Sequence, residues 1–362
     1  MNRLKSVKDS IDWFSLLRLA VATLLGIGIS IIIIFSVSKT PGDAIKYLFL
    51  GPFESKRHFF NILESCIPLI FTGVSLSLVF KSGNFSMITD AALYMGGTVA
   101  AVLAVKAVMP AGVHPVVILL VSSVAGAIIG GIPGILKVRF KANELVTSLM
   151  LNYVFFYIGI YIVNKCIIDR EAGTFASLKY ARTARLITFV KGTNLHVGIF
   201  IALAVTLLIY LLIYKTKFGY EIRVVGSNLE FAKYTGIKAG FVIVAAQMVS
   251  GAVAGLGGAV EQLGMYTRFN WQDSPSYAWD GVILAILSGN NPKYVPVAAV
   301  FLAYIRVGAD VMSRNTDVQN ELVSIIQAVI ILFITAERFL NLIRQRKESK
   351  KALENDKQPG GD

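Results

Sequence analysis

The sequence predicts an all-α integral membrane protein with about ten transmembrane helices. Hydrophobic residues make up 55% of the chain and charged residues only 16%, and the mean hydropathy is +0.65. Apolar runs repeatedly reach the roughly 20 residues that cross a bilayer. The net charge of +13 indicates a positive-inside topology rather than nucleic-acid binding, because no basic motif interleaved with aromatic residues accompanies it. One polytopic domain is therefore expected.

Hydropathy places ten spans along the chain. The first is expected to stay in the protein, because its apolar run is too long for the apolar core of a cleaved signal peptide. The eighth is too short to cross alone, so it is either tilted with its neighbour or discontinuous. The ten lie at 13–38, 59–80, 91–109, 116–136, 144–164, 195–214, 241–263, 279–289, 295–312 and 320–338.

The distribution of lysine and arginine predicts the orientation. With both termini cytoplasmic, the cytoplasmic segments carry 20 of these residues and the opposite segments carry 12, of which six lie in the loop 165–194. The positive-inside rule then favours a cytoplasmic segment at 1–12, a multi-pass transmembrane domain at 13–338 and a cytoplasmic basic tail at 339–362. The tail is expected to be a solvated anchor or to contact anionic membrane lipid.

A polar insertion at 215–240 separates two apolar runs and has helix signals of its own. Ser227, followed three residues later by Glu230, is typical of a capping box, and Gly236 is suited to end a helix in the left-handed conformation. The helix between them, at 228–235, has about two turns, far below the roughly 12–15 residues that an isolated helix needs in water. The insertion therefore predicts a short cytoplasmic helix stabilised by another protein.

Small residues recur at a spacing of four in two of the spans. Gly126, Gly130 and Gly134 lie in the fourth span, and Gly251 and Gly255 lie in the seventh. This spacing lets helices approach closely in lipid. It predicts either static close packing or a helix pair that slides.

Polar residues within the spans are candidates for a translocation pathway, because each is costly in lipid unless it faces a cavity or a partner. Glu144, Ser148 and Asn152 share one face of the fifth span, and aromatic residues including Phe156 follow. A hydrogen-bonding stripe with flat rings suits a heteroaromatic solute. Alternatively, Glu144 caps the end of the helix and the aromatic residues form an interfacial belt.

Two further regions interrupt the apolar runs. One, at 83–90, contains Phe85 and Asp90, and the other has Asp280 at the start of the eighth span. Each acidic residue is consistent with ordinary helix capping. Paired interruptions in the two halves of a transporter, however, indicate a binding site near the middle of the membrane. Glu64, inside the second span, is another pathway candidate.

The sequence contains no catalytic constellation. A Walker A pattern is absent, so the chain is not expected to bind and hydrolyse ATP by that route. Cys66, Cys166 and the three histidines show no ligand spacing. No enzyme activity, metal site or cofactor is predicted.

Four segments resemble the permease subunits of ABC importers for nucleosides, in the branched-chain amino acid/ribose permease superfamily. They are KANELVTSLMLNY (141–153), FGYEIRVVGSNLEFAKYTGI (218–237), SGAVAGLGGAVE (250–261) and WDGVILAILSGNNP (279–292). The resemblance covers most of residues 60–338. It implies that the 215–240 insertion supplies a coupling helix that docks on a cytoplasmic ATPase. The coupling residues are then Ser227 and Glu230 together with the family matches Gly219, Glu221, Arg223, Gly226, Asn228, Ala232 and Gly236.

The resemblance also implies a translocation core and a set of partners. Asn143, Glu144, Asn152 and Asp280 match positions in or near the core. The expected partners in the bacterial inner (plasma) membrane are cytoplasmic ATP-binding subunits, a second permease that is the same or similar, and an extracytoplasmic solute-binding lipoprotein. Where the family usually reads FNIGAEGQ, this chain has FSMITDAA at 85–92, so a nucleoside and a flavin-like solute both fit. The alternatives are an ion- or proton-coupled secondary transporter and a membrane-embedded enzyme.

Overall fold

The computed structural model describes residues 28–318 except 30, 37 and 191, together with residues 325, 328, 329 and 332. Most of the predicted spans 13–38 and 320–338 lies outside these residues, as do both predicted terminal segments. In the part of the chain that is described, the regular structure is helical, apart from two isolated β-bridges. This confirms the predicted all-α class.

The described helices are separated by non-helical segments, which include the two polar interruptions predicted from the sequence. A single turn of 3₁₀-helix, Pro292–Tyr294, precedes the last of them. In chain order they are α1 (Pro41–Glu54), α2 (Lys56–Lys81), α3 (Thr89–Lys106), α4 (Val113–Phe140), α5 (Glu144–Cys166), α6 (Gly198–Lys215), α7 (Lys217–Ser227), α8 (Leu229–Tyr234), α9 (Ala239–Met265), α10 (Tyr277–Leu287) and α11 (Val295–Asn315).

Among the described residues, six helical stretches are long and apolar enough to cross a membrane. They are α2, α4, α5, α6, α9 and the run Pro292–Asn315. The predicted third span corresponds to α3, and the predicted eighth span corresponds to α10, whose 11 residues extend only about 16 Å. The prediction that the eighth span cannot cross alone is therefore confirmed, whereas the number ten stays a prediction.

Two of the helices were not predicted. α1 has 14 residues and is broken by charged residues and a proline, so no membrane-length apolar run marks it. α7 has 11 residues and is rich in β-branched residues, which favour strands over helices. Its helix signals are Thr216, whose hydroxyl accepts a hydrogen bond from the N–H of Gly219 (3.0 Å), and the buried pair Ile222 and Val225 at helical spacing.

The chain forms two compact units. Of the described residues, the smaller comprises those up to Pro52 and those from Ile305 onwards, and the larger comprises Phe53–Tyr304. Within the smaller unit, the Ser38 hydroxyl donates to Asp317 (2.6 Å), and the Lys39 N–H donates to the other carboxylate oxygen (2.7 Å). These two hydrogen bonds hold the pKa of Asp317 below its usual value. The sites described below lie in the larger unit.

The larger unit is built around α9, which packs closely against α4 and α3. A Cβ atom added to Gly126 of α4 would overlap the carbonyl oxygen of Gly251 in α9, and the reverse substitution would produce the same overlap. On the other side, Gly258 of α9 meets the carbonyl oxygen of Leu93 in α3. The predicted close approach of small residues is therefore confirmed, because only glycine lets these backbones touch.

The connection between α5 and α6 packs over the ends of α3 and α9. The N–H of Ala181 donates to the carbonyl of Ala104 (2.9 Å), and the N–H of Leu186 donates to that of Leu263 (3.0 Å). The Tyr180 hydroxyl also donates to Gln262 (2.6 Å). Burial raises the pKa of that hydroxyl, so it keeps its proton and this bond at alkaline pH as well.

Candidate functional site

The first interruption is a buried, non-helical segment between α2 and α3, at 82–88. Ser82, Asn84, Ser86 and Ile88 are all buried, whereas the Phe85 side chain is 41% exposed and stacks on Phe80 with ring centroids 4.9 Å apart. Backbone N–H and C=O groups buried outside a helix need hydrogen-bond partners from elsewhere. The polar residues Glu144, Ser148 and Asn152 of α5 supply those partners.

The three stripe residues of α5 bind the backbone of this first interruption. Glu144 Oε1 accepts from the N–H of Phe85 (2.9 Å), and Ser148 Oγ accepts from the N–H of Met87 (2.9 Å). Asn152 accepts from the N–H of Ala91 (3.2 Å) and donates to the carbonyl of Met87 (3.0 Å). The three residues share one helix face, as expected. Contact of this face with a solute stays a prediction.

Lys137, near the end of α4, completes the polar contacts at the start of the interruption. Its ammonium group forms an ion pair with Glu144 and donates to Asn84 Oδ1 (2.6 Å). Asn143, rather than Glu144, caps α5, since its side chain accepts from the N–H of Leu145 (3.0 Å). The predicted fourth span ends at 136, so Lys137 falls just outside it in the sequence; only the continuation of α4 to Phe140 places Lys137 beside Glu144 and Asn84.

Asp90 connects the first interruption to the second. One carboxylate oxygen accepts from the N–H of Ala278 in the first turn of α10 (3.3 Å), and the other accepts from the Ser274 hydroxyl (3.2 Å). α10 has no side-chain cap from Ser276, its own N-cap residue, so Asp90 satisfies one of its free N–H groups from another segment. Asp280 lies in the same first turn, where its charge repels that of Asp90. The two predicted acidic interruptions therefore meet in space.

The remaining pathway candidates lie elsewhere in the larger unit. Phe156 packs on Tyr94 of α3 with ring centroids 5.0 Å apart, and Tyr94 in turn contacts Trp271 (5.9 Å). Glu64 accepts a hydrogen bond from Asn194 (3.2 Å) in the connection between α5 and α6. Phe156 therefore has an aromatic contact in the core, and Glu64 is bound by the connection between α5 and α6.

The polar insertion at 215–240 contains two short helices, α7 and α8, that join at Asn228. The predicted capping box is wrong by one residue. Asn228 has the extended backbone that a cap requires and accepts from the N–H of Phe231 (3.0 Å). Ser227 instead ends α7 and donates to the carbonyl of Val224 (3.0 Å), while Glu230 pairs with Lys233 (2.6 Å). Asn228 takes the capping position because α7 continues through Ser227.

The predicted end of the short helix is confirmed. Gly236 has φ +80°, a left-handed conformation that favours glycine. The N–H of Gly236 donates to the carbonyl of Lys233 (3.0 Å), and the N–H of Ile237 donates to that of Ala232 (3.0 Å), which is the Schellman arrangement. Ala232 itself is fully buried, so the short helix packs on its inner side.

The other residues selected in the insertion have structural contacts of their own. Gly219 packs against the carbonyl oxygens of Leu212 and Ile213 in α6. The Arg223 guanidinium lies 5.3 Å from the centroid of the Tyr214 ring. Glu221 is half-buried on α7. The contacts of Gly219 and Arg223 therefore fix the position of α7 against α6.

The insertion exposes several aromatic side chains, together called the exposed aromatic surface, and also touches the first interruption. Tyr220 is 55% exposed, Phe231 53% and Tyr234 89%. Gly226, on α7, lies against the end of α2, where an added Cβ atom would overlap the carbonyl oxygen of Lys81 and approach the nitrogen of Gly83 to 2.9 Å. The insertion therefore connects an exposed aromatic surface to the buried segment at 82–88.

Comparison with protein families matches residues 58–335 to the model of the branched-chain amino acid transport system permease component. The chain belongs to this family. The permease is similar to the guanosine ABC transporter permease NupP of Bacillus subtilis, with 28% identity over 92% of this chain and 96% of the relative. It is equally similar, at 28% over 92% and 90%, to the glucose ABC transporter permease TsgB13 of Haloferax volcanii.

A third relative is the nucleoside ABC transporter permease NupB of Lactococcus lactis, with 26% identity over 94% of this chain and 96% of the relative. No solved structure matches. The permease is thus an ABC transporter subunit that is not itself catalytic, and partner ATPases drive the transport. This confirms the resemblance noted in the sequence and the prediction that the chain is not an enzyme.

Proposed function

We propose that this permease forms the translocation path of an ABC importer for a nucleoside-like solute. Two of the relatives described above are named for guanosine and nucleosides, and one is named for glucose. A nucleoside combines a heteroaromatic base with a sugar, so it shares chemistry with both groups. The permease works with cytoplasmic ATP-binding subunits, a second permease and an extracytoplasmic solute-binding lipoprotein.

The contact between Gly226 and Lys81 is the observation that carries this proposal. On one side of it, α7 and α8 expose aromatic side chains, of which Tyr234 is the most exposed. Large exposed apolar residues on an otherwise polar insertion are typical of a docking surface for another protein. On the other side, the backbone of α7 touches the end of α2 without a side chain between them. A displacement of the insertion by an ATPase therefore acts directly on the segment at 82–88.

The hydrogen bonds of the interrupted segment carry the displacement further. Asn84, next to Gly83, binds Lys137, and the backbone up to Ala91 is bound by the stripe of α5. Asp90 then binds the N-terminus of α10. Groups of this kind have few alternative partners in a membrane, so we expect them to exchange partners together between two arrangements. In one arrangement the path is open to one side, and in the other it is open to the opposite side.

Uptake measurements in cells test the importer against a secondary transporter. The permease is expressed with its ATPase and binding protein, and uptake of radiolabelled guanosine is measured. We expect uptake to stop when ATP is depleted and to continue when an uncoupler removes the proton gradient. Uptake by the permease alone, driven by an ion gradient, contradicts the proposal.

Co-purification tests the docking surface separately. Phe231→Asp places a charge in the exposed aromatic surface, and the ATPase is expected to be lost from the purified assembly. Ile187→Asp is a matched control, because Ile187 is also exposed, at 72%, but lies in the connection between α5 and α6, outside the insertion and outside the spanning helices. Equal ATPase recovery from the two variants contradicts docking at α8.

A further inference from the structure

Two buried glutamates on different helices each have one carboxylate oxygen that lacks a partner. Glu64 of α2 is 6% exposed and Glu261 of α9 is 2% exposed. Glu64 Oε1 accepts from Asn194 (3.2 Å), and Glu261 Oε1 accepts from the Tyr277 hydroxyl (2.8 Å). The Oε2 atoms of both residues are buried without a hydrogen-bond partner among the described residues.

The two carboxyl groups belong to one site. Ser75 of α2 and Ser250 of α9 are hydrogen-bonded to each other (2.7 Å), and Gly257 of α9 lies against Phe71 of α2, so the two helices run antiparallel. Glu64 precedes Ser75, and Glu261 follows Ser250, by the same distance of about three turns, which places both carboxyl groups at one level of this helix pair, where both charges act on Tyr266. Glu64 lies about 25 Å along α2 from Lys81, and Glu261 lies one turn before the end of α9. The pair therefore lies at the end of the larger unit opposite the insertion.

The groups around the pair do not neutralise it. Arg57, about two turns before Glu64 on the same face of α2, acts on Glu64 but is itself exposed. His196 packs against Gly264 of α9 and Gly198 of α6, and burial lowers its pKa to about 4, so it is uncharged at neutral pH. The nearby hydroxyl of Tyr266 is also neutral there, and burial raises its pKa further.

The chemistry of the pair favours a proton as its ligand. A buried carboxylate without a compensating charge tends to take up a proton, and two carboxyl groups that share a site tend to hold one proton between them. The unpartnered oxygens have no accessible surface, so a solute does not reach them. Among the described residues, no group of three His, Cys, Asp or Glu side chains suits a metal ion.

We propose that Glu64 and Glu261 bind one shared proton and so form a proton-binding site that links α2 to α9. In the protonated state, the O–H of one carboxyl group donates to the free oxygen of the other, which satisfies both. When the proton leaves to water, two negative charges face each other and α2 and α9 separate at this end. Protonation therefore sets whether the helices at the end opposite the insertion stay closed.

Infrared spectroscopy of the purified full-length transporter tests this site without any transport. A protonated carboxylic acid has a C=O stretch distinct from that of a carboxylate, and an ordinary glutamate is ionised at neutral pH. We expect the wild type to show the acid band at pH 7 and to lose it at alkaline pH. The double variant Glu64→Gln/Glu261→Gln is expected to lack it, and the exposed control Glu171→Gln is expected to keep it.

Several outcomes overturn the proposal. These are a wild type without the acid band at pH 7 and a double variant that keeps the band unchanged. Sodium-dependent thermal stabilisation that disappears in the double variant assigns the pair to Na⁺ instead. Co-purification of the ATPase with the double variant shows that it is folded, and Glu64→Gln alone is measured if it is not. Because the band does not depend on uptake, its absence and a failure of ATP-driven import are distinguishable.

Discussion

Gly226 of α7 packs so closely against the carbonyl oxygen of Lys81 at the end of α2 that a Cβ atom at position 226 would overlap it. Contacts of this kind are stiff, because packed backbones do not deform continuously. We therefore expect the polar insertion and the interrupted segment to move together. This contact joins the insertion, with its exposed aromatic side chains, directly to the buried backbone that follows α2.

Replacement of Gly226 tests the role of this contact. Gly226→Val forces α7 away from Lys81, and guanosine uptake is expected to fall at least about tenfold, which corresponds to about 1.4 kcal/mol. The ATPase should still co-purify, since α8 and its exposed residues are unchanged. Gly42→Val on α1 is the matched control, because an added Cβ atom there meets no other atom within 4 Å. Normal uptake by Gly226→Val argues against transmission through α7.

Proline at position 236 should abolish the C-terminal cap of α8. Proline fixes φ at about −65° and lacks an N–H group, whereas Gly236 has φ +80° and donates to the carbonyl of Lys233. Gly236→Pro is therefore expected to abolish uptake and ATPase binding but to leave membrane insertion unchanged, as measured by the amount of permease in the membrane fraction. Retention of the ATPase would rule out a need for this helix end.

Charge reversal at Glu230 should act on docking rather than on stability. The Glu230–Lys233 pair is more than half exposed on both sides, so its loss alone has little effect on folding. Glu230→Lys reverses the charge beside the exposed Phe231 and places it against Lys233, and we expect loss of ATP-driven uptake with an unchanged melting temperature. Glu230→Gln is the control that removes the pair without reversing the charge. A similar loss with both variants implies that the pair itself matters.

The pair Lys137–Glu144 should stabilise the first interruption. Lys137→Met leaves Glu144 without its cation, and Asn84 also loses a hydrogen-bond donor, so destabilisation of about 1–3 kcal/mol is expected. The double variant Lys137→Met/Glu144→Gln should recover part of that loss, because no uncompensated charge remains. Thermal denaturation of the purified transporter measures both effects. Strictly additive effects of the two substitutions would show that the residues are not coupled.

The two aspartates at the second interruption should differ in their effects. Asp90 caps α10, so Asp90→Ala is expected to destabilise the protein by about 1 kcal/mol, while Asp90→Asn retains an acceptor for the N–H of Ala278. Asp280→Asn removes the repulsion with Asp90 and is expected to weaken transport or alter solute preference without detaching the ATPase. Competition uptake with unlabelled nucleosides and co-purification measure these outcomes. An unchanged preference and rate with Asp280→Asn contradicts a pathway role for this residue.

Local patterns of the sequence predicted much of the fold. Apolar runs located most spans, and the four-residue glycine spacing in α4 and α9 predicted their close packing, because both signals depend only on residues of one helix. α7 escaped prediction, since its β-branched residues favour a strand and its buried face is recognisable only once a partner is present. Glu261 was never selected, because its position in a glycine-rich span gives no hint that Glu64 lies nearby.

The sequence by itself determined that this protein crosses the membrane as helices, that it resembles an ABC permease, and that its polar residues gather at two interruptions. Only the tertiary structure decided what those polar residues bind. The stripe of α5 satisfies backbone groups of 82–91, Asp90 caps a helix nearly 190 residues away along the chain, and Gly226 meets Lys81. Hydrogen bonds and close contacts depend on distances of a few ångströms between segments remote in sequence, and residue patterns within one segment do not contain those distances.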